Sequence, residues 1–437
     1  MLIVSRILTS TLAVFMFIAL ACGAEPASES QPTVPPAPEV QPTPTVFERL
    51  LAFVPDTPDS RRIVRMNDIR GAADAQGIVI PGPDAVAEEV TQFKLDVAFG
   101  RERPATFITR LGGGWISGFN RSYVDQASRT TESLGFDARD IEAFALLGEA
   151  NLPPLPFTEV LTGQFDAKEA PDLLTACEEC PPHSVATYDS QDYFTWGGGE
   201  FQSLRNSQKP PSFDEFGRAG NIVVADEYVF RAVRVADLEA LIDTESGAAS
   251  NLLGDVQYRA IAQALGRSGA VSAVITDQPF DAETVIKAQG GEESFESMES
   301  RDILPVGTVD RIRDGIAASG PLKPFDLMAV GLGKDDIGAF ALVILAYDDE
   351  ETAVEAAIQL EERIENGSYP DLSGDGSNQS FLDRVLEFDI YGRDAMVIAQ
   401  IRTPSPDELR DFNLFSIYPD EVTGYLYNRF VYLIATE

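Results

Sequence analysis

The sequence is poor in the side chains that carry most enzyme chemistry. Its 437 residues include one histidine, three cysteines, two tryptophans and, among 33 basic residues, only six lysines. A single histidine leaves a Ser-His-Asp triad one candidate base and excludes the two-histidine zinc helix His-Glu-x-x-His outright. No Gly-x-Ser-x-Gly elbow occurs and no lysine follows a serine at the Ser-x-x-Lys spacing, so nucleophilic hydrolysis is disfavoured. Positive charge is scarce as well: 70 acidic residues against 33 basic ones give a formal net charge of -37. A surface this negative repels phosphate backbones and anionic headgroups, which argues against nucleic-acid partners and electrostatic membrane adsorption. The 44% hydrophobic content is that of a folded chain rather than an acidic tail. Acids run from Glu48 to Glu437 with little lysine to offset them, a pattern suited to a salty or cation-rich exterior.

The first 21 residues carry one charge, Arg6, ahead of an apolar run from Ile7 to Ala21 broken only by Thr9, Ser10 and Thr11. That run is short for a permanent membrane span and fits the core of an export signal. It closes on Ala19-Leu20-Ala21-Cys22-Gly23, which resembles the lipobox of bacterial lipoproteins. The resemblance implies cleavage before Cys22, diacylation of that cysteine, and anchoring to the outer face of a bacterial membrane. It departs from the family pattern in having Ala19 where leucine is usual and Leu20 where a small residue is usual. The alternative is an ordinary signal-peptidase cut at the same bond, leaving Cys22 unlipidated. Residues 23–45 hold Pro26, Pro32, Pro35, Pro36, Pro38, Pro42 and Pro44, with no aromatic residue and no Lys or Arg. Such a segment favours extended polyproline geometry and reads as a stalk reaching up to about 70 Å.

From Val46 onward the pattern predicts an α+β protein of two lobes, 46–245 and 246–437, each a mainly antiparallel sheet with packed helices. Helices are expected at Val46–Phe53, Asn67–Ala75, Asp84–Phe93, Ile116–Ser133, Ala138–Leu147, Val235–Ile242, Asn251–Leu265 and Val309–Ala318. Strands are expected at Arg62–Met66, Ala105–Arg110, Ala270–Thr276 and Ile337–Tyr347. A weak internal repeat underlies the two lobes. In the first copy the strand Thr158–Phe165 runs into Asp166-Ala-Lys-Glu169 and a helix, then strands Ser184–Tyr188 and Tyr193–Trp196 and the hairpin Asn221–Ala225 / Tyr228–Val233. In the second copy Ile337–Tyr347 runs into Asp348-Asp-Glu-Glu351 and a helix, then Arg384–Asp389, Ala395–Ile401 and the hairpin Thr423–Tyr427 / Phe430–Ala435. Each junction has an aromatic residue, an Asp N-cap and a Glu three residues on, an acidic capping box.

Cys177-Glu-Glu-Cys180-Pro-Pro-His183 is the one dense cluster of reactive side chains. Glu178, Glu179 and the negative end of the preceding helix disfavour a redox-active thiolate. Pro181 stands where a c-type haem motif needs histidine, and a zinc ion would need a carboxylate as fourth ligand. A local Cys177–Cys180 disulfide suits the spacing and an oxidising compartment. Gly112-Gly113-Gly114-Trp115-Ile-Ser117-Gly118 and Gly331-Leu-Gly333-Lys334 miss the dinucleotide and P-loop patterns and read as loops. Asp371, Ser373 and Asp375, with Gly376, begin like a calcium-binding loop, but Leu382 replaces the bidentate Glu, so they are weak calcium candidates beside a polar-loop reading. No catalytic residue and no cofactor emerges. The expected function is a lipid-anchored, non-catalytic module that binds a protein or glycan or associates with the envelope. The alternatives are a solute-binding lipoprotein of a transporter and an extracellular hydrolase using paired carboxylates.

Overall fold

The most continuously apolar stretches of the chain become strands buried on both faces. Ala270–Thr276 is buried at every position, and Phe340 to Ala346 likewise. The computed structural model describes residues 43–76, 79–82, 85–99, 135–136, 139–148, 158–176, 183–196, 220–278, 281–288, 291–301, 306–370, 378–380, 387–402 and 431–436. Within the compact unit from Pro44 to Glu437, the first half runs α1 (Val46–Leu51), α2 (Pro58–Arg62), β1 (Val64–Asp68), α3 (Ile69–Gln76), α4 (Ala87–Phe99), β2 (Ile141–Leu147), β3 (Thr158–Gly163), α5 (Ala170–Ala176), β4 (His183–Tyr188), β5 (Gln191–Trp196), β6 (Gly220–Val224), β7 (Tyr228–Ala232) and α6 (Val235–Glu245). There follow α7 (Val256–Arg267), β8 (Ala270–Thr276), α8 (Ala282–Ala288), α9 (Glu292–Ser300), α10 (Thr308–Ala318), β9 (Leu327–Lys334), β10 (Ala339–Ala346), α11 (Glu350–Asn366), β11 (Ser368–Pro370), β12 (Asn378–Ser380), β13 (Glu387–Arg393), β14 (Met396–Arg402) and α12 (Val431–Ile434).

Among the described residues, twelve of these strands form one antiparallel sheet in the order β13-β14-β10-β9-β8-β1-β2-β3-β7-β6-β5-β4. Strands from both expected lobes therefore belong to one sheet, joined where β1 pairs β8 from Val64↔Ile275 to Asn67↔Ser272. Both strands are buried on two faces, β1 with Val64 and Met66 on one and Arg65 and Asn67 on the other, so neither serves as an exposed edge. Outward from this junction the order is β1-β2-β3-β7-β6 on one side and β8-β9-β10-β14-β13 on the other. On each side a helix follows the third strand, and a hairpin then adds outside that strand.

Side-chain alternation sends one set of residues to each face. On the first face α1, α6 and α7 cover the sheet with Phe47, Leu50, Leu238, Leu241, Ile261 and Leu265. The opposite face is covered by α3, α5, α10, α11 and α12 through residues such as Ile69, Leu174, Ile312, Leu360 and Ile434. Burying each such large side chain contributes about 1.5–3 kcal/mol. The compact unit opens on a capping box, where Thr45 Oγ1 accepts from Glu48 N at 3.2 Å and Glu48 Oε2 accepts from Thr45 N at 2.8 Å. Helices α1 and α7 pack on each other, and Gln263 Nε2 donates to Glu48 Oε1 at 2.9 Å.

Several sequence expectations change. Ala138–Leu147 is not helical: Ile141–Leu147 is a strand between β1 and β3. Ala143, Ala145 and Leu147 face one core and Phe144 the other, so two-sided burial overrides helix propensity. Gly331-Leu-Gly333-Lys334 is no loop but the end of β9, where Gly333 lies opposite Phe340 and the ring fills the space a side chain would take. The N-cap of α11 is Asp349 rather than Asp348, accepting from Thr352 N at 2.8 Å. At the matching junction Asp166 Oδ1 does accept from Glu169 N, and Pro171 sits in the first turn of α5. Val431–Ile434 is a helix where a strand to Ala435 was expected. Buried Arg363 of α11 holds it: Nη1 donates to Leu433 O at 3.0 Å and Ala435 O at 2.7 Å, and Nη2 donates to Gly320 O.

Candidate functional site

At one end of the sheet, α2, the β2 and β3 termini and the start of α6 enclose a cleft of about 440 Å³, lined by Pro55, Thr57, Asp59, Ser60, Arg62, Leu147, Gly148, Thr158, Arg234, Ala236, Asp237 and Ala240. Its walls follow from local sequence. Thr57 caps α2 ahead of Pro58, accepting from Ser60 N at 3.2 Å and donating to Ser60 Oγ at 3.0 Å. Arg61, one residue on, is pinned by Asp56 at 2.6 and 3.0 Å and by Asp255 at 2.9 Å, which fixes α2 against α7. Its hydrogen bond to Asp56 raises the guanidinium pKa most, against burial and with a further push from Asp255. Burial pushes the Asp255 carboxyl up, but hydrogen bonds from Arg61 and from the Tyr258 and Gln257 amides outweigh that and hold it low. The Tyr258 hydroxyl donates to Arg61 O at 2.9 Å.

The other wall is α6, whose N-cap is Arg234 in extended conformation with no side-chain cap. Arg234 Nε donates to Asp237 Oδ2 at 2.7 Å, which raises the guanidinium pKa, and Nη2 lies 3.9 Å from Asp59 Oδ2. Leu147, Gly148 and Thr158 form the floor. Behind the floor, on the opposite face of the sheet, Arg65 Nη1 donates to Gly148 O at 3.1 Å and buried Arg231 pairs with Glu159 at 3.3 Å. Those charges stiffen the strand ends that shape the cleft.

The cleft's hydroxyls at Thr57 and Ser60 bond to each other and not to a base. Of its two carboxylates, Asp237 bonds Arg234 at 2.7 Å and Asp59 lies 3.9 Å from the same guanidinium.

The sequence-derived candidates lie elsewhere. Cys22, Cys177, Cys180, Asp371, Ser373 and Asp375, and the run Gly112–Gly118, fall outside the described residues. Helix α5 ends at Ala176, directly before Cys177, and His183 opens β4 with its ring 6.1 Å from that of Phe194. Trp196 is buried over Gly220 on the neighbouring strand, so it offers no sugar-stacking surface. Among the described residues no group of three or more His, Cys, Asp or Glu could hold a metal ion. Sequence reading passed over the cleft, although Thr57-Pro58-Asp59 is a helix-start signature that would have placed one wall.

No family model and no curated protein matches the sequence. Solved structures give remote matches. Crystal form I of TP0453 has a TM-score of 0.33 at 9% identity, covering 84% of this chain and 97% of that one. Crystal form IV of TP0453 has a TM-score of 0.36 at 8% identity, covering 84% and 98%. At such scores the likeness carries no inference about this chain. Among the described residues no helix is long and apolar enough to cross a membrane.

Proposed function

We propose that this chain is a lipid-anchored extracytoplasmic protein acting as a non-catalytic binding or envelope-associated module. The observation that carries the proposal is the run Ala19-Leu20-Ala21-Cys22 after an apolar segment, followed by a proline-rich stalk that leads into a compact unit starting at Pro44. Cys22 is the lipidation site, and the membrane is a partner through that lipid alone. A diacylglyceryl group with an added acyl chain supplies stable anchoring where one chain gives marginal binding. The reading as a binding module follows the sequence, which carries no complete catalytic motif. Cys177 and Cys180 form a disulfide just past α5. The two halves of the chain are diverged copies of one unit, a strand, a helix, two strands and a hairpin, a reading supported by the matched strand orders either side of β1 and β8. A second reading, a solute-binding lipoprotein of a transporter, is favoured by the cleft itself.

The test is lipid labelling in a bacterial host. The full chain should incorporate an alkyne-tagged palmitate and sediment with membranes, and Cys22→Ser should abolish both. Soluble, unlabelled protein from the unaltered chain would defeat the anchoring proposal.

A further inference from the structure

We propose that the outer edge of β13, beside α11, takes an extended segment of a basic partner protein as an added strand, with apolar and Lys or Arg side chains alternating along it. This rests on reading the chain as a binding module and names the partner's chemistry. Among the described residues β13 pairs only with β14 and ends the sheet, and its register runs unbroken from Glu387↔Arg402 to Arg393↔Met396. It has no proline and no bulge, so alternate backbone N–H and C=O groups along it are set for another ladder. Helix α11 packs over β13 and β14 and buries Ala353, Leu360 and Ile364, yet leaves Val354 48% and Ile358 54% exposed. Val354 reaches the edge strand, since a Cβ on exposed Gly392 would lie 3.7 Å from Val354 Cγ2, and Ile358 continues the same stripe one turn on.

The pleat dictates what such a strand must carry, because neighbouring residues point to opposite faces. Phe388, Ile390 and Gly392 lie on the α11 face, where Phe388 and Ile390 are half-buried, so side chains added there meet them together with Val354 and Ile358 and must be apolar. Glu387, Asp389 and Tyr391 lie exposed on the other face, so side chains added there meet two carboxylates and an aromatic ring, which suits Lys or Arg. Arg393 closes that face 3.9 Å from Asp394, and Arg402, 3.7 Å from Glu387, is already bonded to Asp335. The exposed side of α11 adds six glutamates, of which Glu355 is paired by Lys323, while the helix's one arginine, Arg363, is buried. A second copy of this chain would bring the same glutamates and another net charge of -37 against them, so charge favours a basic partner over edge-to-edge dimers.

The experiment is fluorescence anisotropy of dye-labelled peptides with the full chain in detergent at about 0.15 M NaCl, where long-range attraction is screened. Lys-Val-Lys-Val-Lys-Val-Lys should bind with a Kd below about 100 μM. Its glutamate counterpart, its fully N-methylated form and the block-ordered Val-Val-Val-Lys-Lys-Lys-Lys should each bind about 10-fold more weakly or worse, since they lack the charge, the ladder and the alternation in turn. Val354→Ala with Ile358→Ala, at exposed positions of a helix that favours alanine, should leave the urea midpoint in place, weaken the alternating peptide about 3- to 10-fold and leave heptalysine unchanged. Equal binding of the N-methylated or block-ordered peptide would show attraction without a ladder and overturn the proposal, as would an unaffected double variant or no binding up to about 1 mM. Sedimentation showing a dimer that the double variant dissociates, with the peptide silent, would put a second copy on the edge instead. Lipid labelling reads the anchor separately, so failure of the peptide site leaves the lipid-anchored reading standing.

Discussion

Replacing Arg363 with methionine tests how the C-terminal segment is held. The guanidinium is buried in α11 and satisfies three carbonyls, those of Leu433, Ala435 and Gly320. Two belong to the C-terminal segment and the third lies just past α10, so one side chain ties three elements together. Methionine keeps much of the apolar stem but leaves those carbonyls facing a dry core beside Leu433 and Ile434. A hydrogen bond to a charged group contributes about 1.5–3 kcal/mol, but three made by one side chain are not additive. Each carbonyl left without a donor in the core costs about 1–3 kcal/mol, so a non-additive loss of about 3 kcal/mol or more is expected. Total stability is typically about 5–15 kcal/mol, so urea denaturation followed by the fluorescence of buried Trp196 should show a large fall in midpoint. Arg363→Lys should recover little, because one ammonium cannot span three acceptors in a fixed fork. Carboxypeptidase should also shorten the variant faster than the parent. A loss below about 1 kcal/mol would refute the reasoning, since it would mean that water reaches those carbonyls.

Four further outcomes follow from particular contacts. Gly333→Ala would drive a methyl against the Phe340 ring and to 2.6 Å from Gly269 O, so it should destabilise by about 1–3 kcal/mol, and an unchanged urea midpoint would contradict the packing. Arg402 hydrogen-bonds Asp335 and holds its carboxyl at about 2, below the ordinary 3.8. A depressed carboxyl stabilises above its unfolded pKa and loses that contribution as pH falls from about 4 to 2; with Asp335 40% exposed the effect is at most about 1 kcal/mol, and Asp335→Asn should flatten that stretch of the stability curve. Burial raises the Asp68 carboxyl, so its charged form is disfavoured in the folded chain and the parent gains stability as pH falls through the raised value. Asp68→Asn keeps an acceptor for Gly71 N, 2.8 Å away, and should match or exceed the parent at neutral pH; a clear drop in melting temperature would sink that account. Finally, with a net charge of -37, raising NaCl to about 0.5 M should raise the melting temperature, and a fall would show that self-repulsion is not the governing effect.

How much of this was legible depends on where each residue's fate is decided. Ala270–Thr276 was readable to the residue, because a β-branched, apolar run broken only by Ser272 and bounded by Gly269 and Asp277 has the length and composition of a buried strand. The helix after Tyr347 was readable from Ala353, Ala357, Leu360 and Ile364 on one face, of which Ala357 is half-buried and the other three are fully buried in α11. Ile141–Leu147 was not, since its Glu, Ala and Leu are good helix formers and only the neighbours β1 and β3 make it a strand. Gly333 misled for a related reason: a glycine reads as a turn, and the aromatic ring that makes it a strand position lies on the partner strand. The junction of the halves at β1 and β8 depends on pairing across some two hundred residues, which no local pattern encodes. The cleft was hidden because its parts, near 57–62, 147–158 and 234–240, are each an ordinary helix start or strand end.

Lysine scarcity gains a local cause from these contacts. On composition it belongs with acidic adaptation to a salty exterior, yet that would be met as well by losing arginine. Arginine is kept where one cation must hold several oxygens at once: Arg61 spans Asp56 and Asp255, Arg313 spans Glu283 and Glu292, Arg402 reaches Asp335 and Glu387, and Arg363 gathers three carbonyls. A planar fork with five donors can do this and a point-charge ammonium cannot. A chain with 70 acids and few cations to spare gains most cohesion per positive charge from the multidentate one. The same logic applies at the cleft, where Arg234 engages Asp237 with Nε while Nη2 faces Asp59. Six lysines against 70 acids thus fit the geometry of these multidentate bonds.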